Sequence, residues 1–146
     1  MREILSLTVI YKAAPGEKVK TKPINFETLN WHDAVLEHCD IEISSTKYAT
    51  VFLTCQMYMT EEDSKRTPVQ IRFGKVKTHT FILHSKELYK NAIAGNINGC
   101  YVYKNVYQFS LYGGYLEITT DKPPKAFIIK NSKSKYRKRK QNAKVY

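Results

Sequence analysis

The sequence predicts an α+β domain, β-rich and mainly antiparallel, built as a meander of hairpins with two short helices. Three observations carry that expectation. Apolar and polar residues alternate through several stretches, turn-forming dipeptides separate them, and only two segments place apolar residues at helical spacing. The chain has 146 residues, 42% of them apolar and 25% charged, which suits one domain able to bury a core. We expect that domain over residues 1–130 and a disordered basic arm over residues 131–146.

Leu5, Leu7, Val9 and Tyr11 alternate with Ser6 and Thr8 as a first strand. This segment is too short, too interrupted and too close to Glu3 for a secretion signal. AAPGEKVKTKP follows as a loop that Pro23 closes. Trp31, Val35 and Cys39 recur every four residues, which predicts a helix over residues 28–39.

Ala49, Val51, Leu53, Cys55, Met57 and Met59 then share one strand face, with Phe52 and Tyr58 on the other. EEDSKRTP reads as a loop. Val69, Ile71 and Phe73 alternate up to Gly74, read as a turn into a further strand ending at Leu83. Ser85 as N-cap and the stripe Leu88, Tyr89, Ala92 and Ile93 predict a helix over residues 86–94. Asn98-Gly99 reads as a turn, and residues 125–130 as the last strand.

Five of the eleven tyrosines fall within CYVYKNVYQFSLYGGYLEI, residues 100–118. Gly113-Gly114 and Lys104-Asn105 are read as two-residue turns. They pair Leu111 with Leu116, Phe109 with Ile118, Val102 with Tyr107, and Cys100 with Phe109. Directly opposed residues share a face. One face then holds Cys100, Val102, Tyr107, Phe109, Leu111, Leu116 and Ile118. The other holds Tyr101, Tyr103, Tyr112 and Tyr115, interleaved with Val106, Gln108, Ser110, Glu117 and Thr119. Such a face either stacks unpaired bases or lies under a helix or a second subunit.

The formal net charge is +11, and residues 122–146 contain ten Lys or Arg and no acid. The rest of the chain is almost neutral. The arm KNSKSKYRKRKQNAKVY presents Lys133, Lys135, Tyr136, Arg137, Lys138, Arg139, Lys140 and Lys144 with almost no aliphatic residue to bury. A polycation of this kind neutralises phosphates and releases their counterions. RKRK also resembles a short nuclear-import signal.

Cys39, Cys55 and Cys100 are odd in number and apolar in setting, so free thiols in a reducing compartment are expected. No apolar run approaches the ~18 residues of a membrane helix. His38-Cys39-Asp40 lacks the partner spacing of a metal site, Glu61-Glu62-Asp63 reads as a solvated turn, and no cofactor or metal is expected. No catalytic residues stand out. Arg72, Lys77, His79 and His84 are the pieces a metal-independent nuclease would use, but their spacing does not select that role.

These readings lead to a non-enzymatic nucleic-acid-binding protein favouring single strands. Its arm would hold phosphates, while Tyr101, Tyr103, Gln108, Tyr112 and Tyr115 would stack bases. It would be intracellular: cytoplasmic, or nuclear in a eukaryotic cell. The alternative is a structural or interaction protein, such as a viral assembly component or an inhibitor, whose tyrosine face is a homo-oligomer interface. A nuclease is the third reading, and no membrane role is expected.

The arm yields a quantitative prediction. If it contacts about six phosphates of a single strand, log K falls with log salt at a slope near −4, from roughly 0.7 per contact. Titrating a labelled oligonucleotide at several salt concentrations measures that slope.

Overall fold

The computed structural model describes residues 6–11, 21–43, 47–90 and 96–130. Nine strands form one curled, mainly antiparallel sheet: β1 Ser6–Tyr11, β2 Thr21–Ile24, β3 Val35–Ile43, β4 Ala49–Met57, β5 Thr67–Leu83, β6 Ile97–Tyr103, β7 Val106–Leu111, β8 Gly114–Thr120 and β9 Lys125–Ile129. Helical structure among the described residues is limited to a 3-10 turn, Phe26–Thr28, and one short helix, α1 Ser85–Lys90. None of it is long and apolar enough to cross a membrane.

The strand order is β1-β3-β4-β5-β8-β7-β6, with β9 also on β5 and β2 on β9. All pairs are antiparallel except β1 with β3. The sheet curls until the start of β6 meets the start of β3. Val35, at the start of β3, bridges Asn96, and the Ile97 N–H donates to the Ala34 carbonyl at 2.6 Å.

Alternation sends Val51, Leu53, Cys55 and Met57 of β4 into the enclosed core with Val69, Ile71, Phe73, Phe109, Leu116 and Ile118. Fully burying side chains of this size stabilises by roughly 1.5–3 kcal/mol each. Phe26, Trp31, Phe73, Tyr107 and Phe109 close one end of the core as tilted and edge-to-face rings with centroids 5.0–6.3 Å apart.

β5 is a single strand of 17 residues with a kink in the middle. Gly74 and Lys75 bulge opposite Thr50, with Lys75 at φ 48°, and a second irregularity follows between Val76 and Thr78. Thr120 stitches this kink. Its buried hydroxyl donates to the Gly74 carbonyl at 2.6 Å, lies 3.3 Å from that of Lys75, and accepts from the Lys122 N–H at 3.2 Å.

Beyond the kink β5 pairs with β8, and before it with β9. Phe81 lies opposite Leu116 and Arg72 opposite Lys125, nine residues along each strand, so β8 and β9 run beside β5 in one register. The interruption between them is Asp121-Lys122-Pro123-Pro124, where two prolines lack the N–H a ladder requires.

Several expectations are corrected. Residues 28–39 are not a helix: Trp31 lies in a loop and Val35 begins β3. A bulge between Leu36 and His38 shifts the inward positions to Leu36, Cys39 and Ile41, so the strand lost its two-residue period in sequence. Of the second expected helix, residues 86–90 lie in the short helix α1, and residues 91–94 lie outside the described residues.

Gly74 is a bulge inside one strand and not a turn between two. Asn98-Gly99 lies within β6. Thr21, Lys22 and Pro23, read as the end of a loop, belong with Ile24 to an edge strand in which Pro23 is tolerated. The arm, residues 131–146, lies outside the described residues.

The two adjacent glycines of the β7–β8 hairpin have different roles. Gly113, at φ 85°, belongs to the turn. Gly114 pairs with Leu83, and a Cβ there would stand 2.5 Å from the Ile82 carbonyl oxygen. Gly114→Ala is therefore expected to destabilise by about 2 kcal/mol or more, while Gly74→Ala, with Lys122 Cδ 3.9 Å away, stays within about 0.5 kcal/mol. Thr120→Val leaves the kink carbonyls without their donor and costs about 1–3 kcal/mol. Urea unfolding of the three variants checks all three values.

Candidate functional site

The tyrosine-rich segment forms the three-stranded end of the sheet, β6-β7-β8. Lys104-Asn105 is the two-residue turn expected, and β6 pairs with β7 as expected: Val102 opposite Tyr107 and Cys100 opposite Phe109. The β7–β8 turn is Tyr112-Gly113, not Gly113-Gly114, so Phe109 lies opposite Leu116 and Tyr107 opposite Ile118. That is a slip of two residues from the expected register. A two-residue slip preserves the faces, because side chains alternate with period two.

Tyr101, Tyr103 and Tyr112 are exposed, at 65%, 72% and 40%. Tyr101 and Tyr103 share the outer face of β6, the last strand of the sheet path. Gly99 leaves room beside Tyr101, since a Cβ there would lie 3.4 Å from the ring. The Lys104 ammonium sits 5.5 Å from the Tyr103 ring centroid, a cation–π distance. Tyr112 occupies the turn at the opposite end of the hairpin.

Tyr115 is half-buried on β8. Its hydroxyl donates to Glu117 Oε2, and the Gln108 side-chain amide donates to the same oxygen at 3.2 Å. The hydrogen bond to Glu117, with burial and the nearby carboxylate charge adding to it, raises the Tyr115 phenol above its usual range. Tyr101, Gln108, Glu117 and Thr80 form one cross-strand row. The outer face therefore carries two exposed rings at its edge and a carboxylate held at its centre.

Glu117 was expected on this face, but not among the binding residues. Only the three-strand register shows that it lies between Gln108 and Thr80. Ser110 and Tyr115 form the neighbouring row. Tyr107, as expected, turns to the core side and meets Phe26 and Phe73.

The outer face of β4 is different. Phe52 lies under Arg72 at 5.7 Å and Tyr58 under Arg66 at 4.8 Å, so guanidinium groups already occupy both rings. Where the β8–β9 strand changes partners, a cleft of about 620 Å³ opens on the core side. Ile24, Phe26, Val102, Tyr107, Pro124 and Phe127 are among its walls.

The remaining candidates do not converge. Lys77 is paired with Asp121 at 2.7 Å, and Arg72 and His84 stand twelve positions apart on and just beyond β5. His38 and Asp40 flank buried Cys39 on β3, and no group of three metal-ligating side chains occurs among the described residues. Asp63 accepts from the Thr60 hydroxyl at 2.8 Å and from the Thr60 and Met59 N–H groups, contacts that order the acidic loop and hold its carboxyl below the usual range.

Cys39 and Cys55 are buried free thiols and Cys100 is half-buried. Burial pushes the Cys39 and Cys100 thiols up to about 12, and that of Cys55 higher still. Lys133, Lys135, Tyr136, Arg137, Lys138, Arg139, Lys140 and Lys144 lie outside the described residues.

Comparison with protein-family models, curated proteins and solved structures finds no match.

The Glu117 network predicts a titration. Glu117→Gln removes the charge and weakens the hydrogen bond that favours the neutral phenol, so Tyr115 should ionise at lower pH, closer to ~10. Ultraviolet absorbance titration, with Tyr115→Phe to identify the signal, measures the change.

Proposed function

We propose that this protein binds single-stranded nucleic acid without acting on it chemically. One observation carries the reading: Tyr101 and Tyr103 are 65% and 72% exposed, side by side on the outer face of β6, with a lysine beside one ring. Exposing two large rings forgoes the stabilisation that burial would supply, which is explained if the rings engage a partner. Stacking a base on such a ring contributes roughly 1–3 kcal/mol.

The spacing supports single strands over duplex. Residues two apart on a strand are separated by about 7 Å, roughly twice the 3.4 Å rise of a duplex strand. Two bases reach both rings only when the strand is extended and its bases are unstacked.

Glu117 refines the expectation. A carboxylate on this face repels phosphate and accepts from exocyclic amines, so the backbone should run along the Lys104 edge and away from β8. The arm supplies the phosphate-neutralising charge in this reading, and the free thiols agree with an intracellular setting.

Fluorescence anisotropy with labelled single- and double-stranded oligonucleotides tests the proposal. The intact chain should prefer single strands, Tyr101→Ala and Tyr103→Ala should each weaken binding by roughly fivefold to a hundredfold, and a chain ended at Asn131 should lose most of the salt dependence. Absence of binding at low salt would sink the proposal. Neutral tyrosine variants combined with complete loss on truncation would assign all binding to the arm.

A further inference from the structure

β6 has an unusual edge. Tyr101, Val102 and Tyr103 are exposed in succession, at 65%, 54% and 72%, so both faces of this strand present apolar or aromatic surface. Among the described residues, no strand pairs its outer edge between Gly99 and Tyr103. Edges are normally blunted by lysine, proline or inward charge. Ile97–Tyr103 contains none of these.

In a two-residue hairpin the closing pair, here Tyr103 and Val106, exchanges hydrogen bonds, and bonded and non-bonded pairs then alternate. Gly99, Tyr101 and Tyr103 therefore use their backbone groups on β7. Cys100 and Val102 turn theirs to the open edge.

We infer that β6 is a dimerisation strand, which pairs antiparallel with β6 of a second copy of this chain across a two-fold axis at Tyr101. The free stretch lies between the irregularity at Ile97–Gly99 and the turn at Lys104, and Tyr101 is its midpoint. Centring there places Cys100 opposite Val102 of the copy, so the outward backbone groups meet one another. Tyr101 meets its own copy, and Tyr103 meets Gly99, adding cross-strand aromatic contact on the outer face.

Charge favours the same partner and direction. The strand brings no like charge to the seam, and antiparallel pairing holds the two Lys104 residues about 20 Å apart along it, well beyond the ~8 Å screening length. On the core side, Val102 of each copy lies at the 620 Å³ cleft, giving the approaching chain an apolar recess. The outer faces merge into one sheet and leave the tyrosine rings on its surface. The dimer does not depend on the nucleic-acid reading, because a second copy needs no ligand to form the seam.

Sedimentation equilibrium of the nuclease-treated full chain in high salt should show reversible growth from the 17.0 kDa monomer to twice that mass. Val102→Lys places a charge on an already exposed position and should raise the dissociation constant at least tenfold, with an unchanged melting temperature at concentrations where both chains are monomeric. In a Cys100→Ser chain, Tyr101→Cys should form a reducible dimer on mild oxidation, since opposed Cα atoms of a non-bonded pair lie about 4.5 Å apart. Tyr103→Cys should not, because its two copies are separated by about 14 Å along the seam. A monomer at every concentration overturns the inference. So does a dimer indifferent to Val102→Lys, or one that crosslinks equally through Tyr103→Cys.

Discussion

The kink at Gly74-Lys75, stitched by the Thr120 hydroxyl, is the constraint on which the rest of the architecture depends. A 17-residue strand left straight would favour a broad open sheet. The bulge increases local twist, so the two halves of β5 serve different neighbours while β8 and β9 follow in one register. Two consequences follow. The sheet curls far enough for β6 to meet the start of β3, enclosing the core. The strands also part between β9 and β8, opening the apolar cleft. Thr120 is fully buried yet loses no hydrogen bonding, because the carbonyls exposed by the bulge accept its proton.

The curl also determines where the tyrosines fall. β6 lies at the end of the strand path, and the aromatic plug of Phe26, Trp31, Phe73, Tyr107 and Phe109 fills the core behind it. Tyr107 completes that packing. Tyr101 and Tyr103, one strand face away, receive no such cover and stand in solvent. Alternation thus divides a single tyrosine-rich segment between core packing and exposed surface. The carboxylate of Glu117, held by Tyr115 and Gln108, gives the outer face a polar centre and leaves the exposed rings at its rim.

Much of this was legible in the residues. Strict alternation identified β4 and its buried face, and the Lys104-Asn105 turn fixed the β6–β7 register. The division of the tyrosines survived a misplaced turn because the error was two residues, a whole period. What failed has one recurring physical cause. Bulges at Leu36–His38 and at Gly74 break the two-residue period, which made β3 resemble a helix and β5 resemble two strands. Gly114 was read as a turn residue because two adjacent glycines satisfy a turn so well, yet the close approach of Ile82 is a tertiary requirement invisible in local sequence. Alternation put Glu117 on the correct face, but its hydrogen bonds to Tyr115 and Gln108 exist only once the strands are in register.

The central claim is that bases contact the outer face of β6 and not only the charged arm. Aromatic proton–carbon correlation spectra, with Tyr101 and Tyr103 assigned by Phe substitution, test it most directly when a short single-stranded oligonucleotide is added at low salt. Ring-current shifts concentrated on Tyr101 and Tyr103, with Tyr107 unmoved in the core, are the predicted result. Shifts confined to Tyr136 and its arm, with both β6 rings unchanged at saturation, would contradict the account.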